Sequence, residues 1–173
     1  TLGGLTLVYD GAPLTGLASS KAEALVVYLA CTKRSQPREV LADLLWDDLP
    51  LERTRGNLSV LLTSLRKKLK PYFQITRTSV AFDTSQPYFF DAEELETTVA
   101  RAQREAQSPR GQPVLLSGEM TEKLERALSL YKGPFLQGFS SQAENFEAWV
   151  SNEQERLQQL AIAGYSLLVN TSL

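Results

Sequence analysis

Leucines recur at helical spacing between residues 53 and 70, in the stretch RTRGNLSVLLTSLRKKLK. At 100° per residue they fall on one narrow stripe, which predicts a helix packed against a core. No acidic residue occurs between Arg53 and Lys70, so the face opposite the leucines carries charge of one sign only. A merely solvated helix face would normally mix both signs. The predicted core stripe consists of Leu58, Leu62, Leu65 and Leu69.

Length and composition place the chain among ordinary globular proteins. Its 173 residues suffice for one large domain or two small ones, and 43% hydrophobic and 22% charged residues are typical of folded chains. No apolar run approaches the roughly 20 residues that a bilayer-spanning helix needs. The first residues, TLGGLTLVYDG, are typical of a strand and turn and not of a signal peptide. We therefore expect a cytoplasmic protein without a membrane partner.

The inventory of reactive side chains argues against an enzyme. The chain has no histidine, which removes the commonest general base and nearly all transition-metal sites. Its single cysteine, Cys31, follows the apolar run ALVVYLA and is best interpreted as a core residue. No Gly-rich phosphate loop is present. The sequence thus predicts a non-enzymatic protein with no cofactor and no metal.

Charge is distributed unevenly along the chain. Residues 1–91 contain 11 Lys/Arg and 9 Asp/Glu, whereas residues 92–173 contain 7 Lys/Arg and 11 Asp/Glu. The net charge of −2 therefore conceals a local basic patch in the first half. Such a patch is compatible with a nucleic-acid partner despite the acidic total.

The first half mixes strand and helix signals. Asp10-Gly11 marks a hairpin turn, and helices are predicted over 19–32 and from Pro37 to the break at DDLP. The basic helix is predicted over 50–70 and a second hairpin over 73–82. Two helices joined by a short turn and followed by a hairpin predict a winged helix-turn-helix over residues 1–88. A small α+β domain that binds nothing has the same order and stays open as an alternative.

The second half, residues 89–173, has almost only helix signals. Helices are predicted over 91–107, 117–133 and 142–170, with a Pro/Gly-bearing loop at 110–119. Paired amphipathic helices of this length predict an all-α, tetratricopeptide-like domain. Such arrays usually need roughly three repeats, so we expect the domain to continue past Leu173.

The exposed face of the basic helix has side chains that a DNA-reading helix uses. Asn57 can pair with an adenine edge, Val60 can touch a thymine methyl group, and hydroxyls can bond bases or phosphates. Lysines and arginines would supply phosphate contacts that position the helix without specifying sequence. The candidate DNA-binding residues are Arg53, Arg55, Asn57, Val60, Thr63, Ser64, Arg66, Lys67 and Lys70 in the helix, with Arg77 and Thr78 in the second hairpin.

Two longer segments resemble known families. VLADLLWDDLPLERTRGNLSVLLTSLRKKL is similar to the response-regulator-like winged helix of the bacterial antibiotic regulatory protein (SARP) group of transcriptional activators. LERALSLYKGPFLQGF, followed by FEAWVSNEQERL, resembles the bacterial transcriptional activator domain that follows that winged helix. Together these resemblances cover almost the whole chain.

The resemblance implies a transcriptional activator that binds double-stranded DNA. Its basic helix would enter the major groove and the second hairpin would act as a wing in the minor groove. It also implies direct-repeat sites bound by two copies of the chain, with RNA polymerase as a further candidate partner. Asn57 stands where the family motif also has Asn, and Arg66 and Lys67 stand in its basic pair.

Two departures from the family pattern weaken this reading. Family members commonly have Arg at the positions of Ser64 and Ser59. Losing Arg at 64 removes a bidentate guanine contact, worth about 1–3 kcal/mol of discrimination, and favours A·T-rich sites. The competing hypothesis is a protein-interaction or oligomerisation module whose winged helix no longer reads DNA.

Overall fold

The computed structural model of the protein describes residues 1–107 and 114–171. Two compact units divide the chain. The mixed unit comprises Thr6–Tyr88 and Ser140–Trp149, and the helical unit comprises Thr1–Leu5, Phe89–Phe139 and Val150–Leu173. The chain passes from the mixed to the helical unit after Tyr88, where the sequence places its domain boundary. Two short segments, Thr1–Leu5 and Ser140–Trp149, group with the unit opposite to the predicted one, and the boundary stays a prediction.

The mixed unit begins with the expected hairpin. Strand β1 (Val8–Tyr9) pairs antiparallel with β2 (Ala12–Pro13). The two turn residues have φ of 53° at Asp10 and 75° at Gly11, the left-handed conformations that a tight two-residue hairpin turn requires. Asn, Asp and Gly are the residues that tolerate this region, so the Asp-Gly pair directs the turn.

Three helices follow in the predicted order: α1 (Ser20–Thr32), α2 (Arg38–Leu45) and α3 (Leu51–Leu69). Pro50 stands immediately before α3, where its fixed φ suits the entry to a helix and its missing N–H costs nothing. The α3 stripe is buried as predicted. Thr54 and Leu61 are buried as well, so the packed face of α3 is wider than the four leucines suggest.

The second hairpin belongs to a three-stranded sheet that the sequence did not predict. Strand β4 (Phe73–Ile75) pairs with β5 (Ser79–Phe82), which confirms a hairpin at 73–82. Strand β3 (Gln36–Pro37), directly before α2, pairs with the other edge of β5, with Pro37 opposite Ser79. The hairpin is therefore tied to the start of α2.

The helical unit contains α4 (Asp91–Ala106), α5 (Gly118–Ser129) and most of α6 (Glu144–Thr171). The Ser117 hydroxyl accepts a hydrogen bond from the Met120 N–H, so Ser117 caps the N-terminus of α5. Gly164 lets α6 approach its neighbours closely, since a Cβ there would lie 3.0 Å from Leu128 and 3.2 Å from Val99. The core side chains of the unit include Leu95, Val99, Leu124, Leu128, Phe135 and Leu157.

Three local expectations need comment. Helical spacing in EVLADLL predicts that Val40 faces inward with Leu41, Leu44 and Leu45, yet Val40 is exposed. It lies in the first turn of α2, and its side chain tilts toward the helix N-terminus, beyond the packed part. Ser19 stands at the N-cap of α1, yet its side chain makes no capping bond. The predicted loop at 110–119 lies partly, over 110–113, outside the described residues.

We predict that Leu65→Ala lowers the free energy of unfolding by about 2–5 kcal/mol. Leu65 is fully buried, so truncation removes transfer free energy and leaves a cavity. Urea denaturation checks this. Val60→Ala, at a side chain on the same helix that is 71% exposed, is the control and should change stability by less than about 0.7 kcal/mol. Equal losses for both variants would contradict the burial of the α3 stripe.

Candidate nucleic-acid interface

Burial of the leucine stripe turns the basic side of α3 toward solvent. From Arg53 to Lys70, every arginine and lysine side chain is exposed. Basic residues Arg66, Lys67 and Lys68 also occupy the last turn, where they suit the negative end of the helix dipole. This local role and a phosphate-binding role are compatible, because neither requires the ammonium or guanidinium group to be buried.

The structure places nearly all sequence-predicted candidate residues on accessible surface. Of these, Ser64 alone is half-buried, on the border between the core stripe and the exposed face. Asn57 lies on that same border of α3, whereas Arg55 lies on the opposite one, as the 100° step requires. The exposed candidates are Arg53, Arg55, Asn57, Val60, Thr63, Arg66, Lys67, Lys70, Arg77 and Thr78.

Hydroxyl groups on α3 are already engaged with the helix backbone. The Ser59 hydroxyl donates to the Arg55 carbonyl at 2.9 Å, and the Thr63 hydroxyl donates to the Ser59 carbonyl at 2.9 Å. A hydroxyl has one donor and two acceptor sites, so each can still accept a bond. Donation by Thr63 to a base or phosphate would require rotation of its side chain away from the helix.

A groove of about 570 Å³ lies beside α3 in the mixed unit. Its walls come from three places: the start of α2, the first half of α3, and the turn between β4 and β5. We call it the arginine groove, after the three arginines that line it. Its lining residues are Pro37, Arg38, Glu39, Arg55, Leu58, Ser59, Arg77 and Thr78.

Backbone bonds fix the relative positions of the groove walls. The Arg38 N–H donates to the Thr78 carbonyl at 2.9 Å, which joins α2 to the turn between β4 and β5. Within that turn the Thr76 hydroxyl oxygen accepts from the N–H groups of Thr78 and Ser79, at 3.3 and 3.0 Å. Arg77 is therefore carried on a turn stabilised by its own side-chain bonds.

One carboxylate stands among the arginines of the groove. Glu39 Oε1 accepts from Arg55 Nη2 at 2.6 Å, joining the first turn of α2 to α3. Both side chains are largely exposed, at 68% for Glu39 and 57% for Arg55, so solvent screens the pair and its net contribution to stability is about 0–1 kcal/mol.

Arg38 is the groove residue with an unmet hydrogen-bonding need. Among the described residues, its buried Nε has no acceptor. A buried donor without a partner typically costs about 1–3 kcal/mol. Sequence reasoning missed Arg38 and Glu39, because it assigned both to the first turn of an ordinary core helix.

Lys68 is held by the chain that precedes α1. Its Nζ donates to the Thr15 carbonyl at 2.8 Å. The bond to the carbonyl gives its ammonium group a fixed position and leaves it fewer free donors. Lys67 and Lys70, its exposed neighbours, are better placed to contact the phosphates of a nucleic-acid backbone.

The described part of the chain has neither a cluster of metal-ligand side chains nor a helix suited to span a membrane. Residues 1–107 and 114–171 hold no group of three or more His, Cys, Asp or Glu side chains arranged to bind a metal ion. Over the same residues, every helix is too short or too polar to traverse a lipid bilayer.

Comparison with known proteins supports the expectation for the second half. Residues 90–173 match the family model of the bacterial transcriptional activator domain, which confirms the resemblance of LERALSLYKGPFLQGF and its following motif to that domain. The matched family is a regulatory one. No curated protein matches the chain. The chain therefore contains a segment similar to a bacterial transcriptional activator domain. The resemblance of the first half to a winged helix stays a prediction.

We predict that Thr76→Val loosens the turn that carries Arg77. Loss of the hydroxyl oxygen leaves two backbone N–H groups without their acceptor, which should cost about 1 kcal/mol. Amide hydrogen exchange at Thr78 and Ser79 should accelerate several-fold, measured by NMR. Thr84→Val, at an exposed position beyond β5, is the control. Unchanged protection in Thr76→Val would contradict the assigned turn.

Proposed function

We propose that the protein is a DNA-binding transcriptional regulator, an activator that acts in the cytoplasm. In this proposal α2, α3 and the β4–β5 hairpin form a winged helix-turn-helix, residues 1–88. Helix 50–70 enters the major groove and hairpin 73–82 is the wing. Residues 89–173 form the tetratricopeptide-like activator domain. The observation that carries the proposal is a helix with buried leucines and an exposed face that, after Glu52 in its first turn, carries only positive charge.

Roles follow from the chemistry of each exposed side chain. Lys67, Arg66 and Lys70 neutralise phosphates, and this positions α3 without specifying sequence. Asn57 can bond an adenine edge and Val60 can contact a thymine methyl group, a combination that favours A·T-rich sites. No arginine occupies position 64, so strong bidentate recognition of guanine is not expected from that part of the helix.

The match to an activator domain supports a transcriptional role for the second half. An activator must reach the transcription machinery, so RNA polymerase is the partner proposed for this half. Two copies bound side by side on direct repeats would double the contacted sequence. Linking two bound copies would then raise the overall affinity above that of a single basic helix with few base-specific side chains.

A protein-interaction module is the second candidate. One observation favours it: the last turns of α6 present an exposed apolar stripe of Ile162, Tyr165 and Val169. Contiguous exposed apolar residues are typical of protein-binding surfaces. This candidate requires no affinity for duplex DNA, so a single binding experiment separates the two.

We expect fluorescence anisotropy to show binding to A·T-rich duplexes more tightly than to mixed ones. Neutralisation of Z phosphates gives a slope of log K against log salt near about −0.9Z. Lys67→Glu should weaken binding to every sequence by a similar factor, because a phosphate contact carries no sequence information. Lys132→Glu makes the same charge reversal at an exposed lysine of the helical unit and should have a smaller effect.

Absence of binding at low salt by the folded protein would reject the regulator proposal and favour the interaction module. An equal loss in Lys67→Glu and Lys132→Glu would indicate nonspecific attraction by total charge, without a defined interface on α3.

A further inference from the structure

We propose that the arginine groove receives a backbone phosphate of the bound duplex, and that Glu39 limits the affinity by occupying Arg55 in its place. This inference rests on the proposed function and adds to it the residue that sets its strength. It assigns a role to Glu39, which lies outside the face predicted to contact DNA.

The groove has the chemistry of an anion site. Arg38, Arg55 and Arg77 line it, and with Glu39 they leave a net charge of +2. The first turn of α2 lines the groove, and the dipole of a helix favours anions at its N-terminus.

Glu39 occupies that site as an internal anion. Its carboxylate stands at the start of α2, where the dipole favours negative charge, and it bonds Arg55 at 2.6 Å. Arginine binds carboxylates and phosphates through the same fork of N–H donors, so the two anions compete for one guanidinium group. The pair is exposed and screened, hence a phosphate can displace Glu39 without breaking a buried interaction.

Fixed walls distinguish this groove from a random cluster of surface arginines. Strand β3 pairs with β5, and the Arg38 N–H bonds the Thr78 carbonyl, so α2 and the wing turn move together. Arg55 and Ser59 are one helical turn apart on the same border of α3, facing that wall. A duplex backbone running past the wing and α3 would meet three arginines carried on these walls.

The test compares Glu39→Gln with the wild type by anisotropy on one duplex over a salt series. We expect about three- to tenfold tighter binding, and a slope of log K against log salt more negative by about 0.9, since one more phosphate is neutralised. Glu119→Gln is the matched control. It breaks another exposed ion pair, Glu119 with Lys123 in the helical unit, and changes the net charge equally.

A double-mutant cycle shows whether Glu39 acts through Arg55. Arg55→Gln should weaken binding, and in the Arg55→Gln, Glu39→Gln double variant the gain from losing Glu39 should disappear. Thermal unfolding of each variant verifies that it is folded. A gain that persists without Arg55, or one that Glu119→Gln reproduces, would overturn the inference while leaving DNA binding intact.

Two further outcomes separate this inference from the proposed function. If neither the wild type nor Glu39→Gln binds duplex at low salt, both proposals fail. Inorganic phosphate, exchanged for chloride at constant ionic strength, tests a free anion as the occupant. Binding of inorganic phosphate that Arg55→Gln abolishes, together with a duplex affinity that phosphate leaves unchanged, would reassign the groove to free phosphate and overturn the duplex backbone as its ligand.

Discussion

The rotation of α3 about its own axis is the constraint on which the mixed unit depends. Burial of Leu58, Leu62, Leu65 and Leu69 fixes that rotation, because any other orientation would expose several leucines, each worth about 1.5–3 kcal/mol when buried. With the leucines inward, the arginines and lysines of the same helix have no place except solvent. A positively charged surface is thus a direct consequence of core packing.

The three-stranded sheet converts that surface into a defined groove. The β4–β5 hairpin follows α3 along the chain through the short 3₁₀ turn Lys70–Tyr72. Pairing of β3 with β5 places the start of α2 beside the turn between β4 and β5. Arg38 and Arg77 therefore line the arginine groove together with Arg55. Fixed backbone positions favour the binding of a phosphate backbone, because less conformational entropy is lost when the arginines bind.

The helical unit is held by different means. Small residues allow close helix packing at Gly164, and polar contacts join α4 to α6, where Arg156 bonds both Glu96 and Glu153. Burial lowers the pKa of Arg156, but the hydrogen bonds and charges of the two glutamates outweigh it and raise the pKa above its usual value. These contacts lie within residues 90–173, the segment that matches the family model of the bacterial transcriptional activator domain.

Much of the fold could be predicted from local patterns. The Asp10-Gly11 turn, the α3 stripe and the helices of the second half all follow from spacing and turn chemistry, which act over a few residues. Those patterns also identified Arg55, Arg77 and Thr78 as candidates. They failed at Val40, because periodicity does not tell where the packed part of a helix ends.

The sequence by itself determined which face of α3 is buried and which is charged, since both are set by the 100° step of one helix. The tertiary structure alone decided that β3 joins β5, and hence that Arg38 and Glu39 meet Arg55 and Arg77. Gln36 and Pro37 carry no strand signal of their own. Their pairing with residues more than 40 positions away is a product of the folded sheet, which no local pattern encodes.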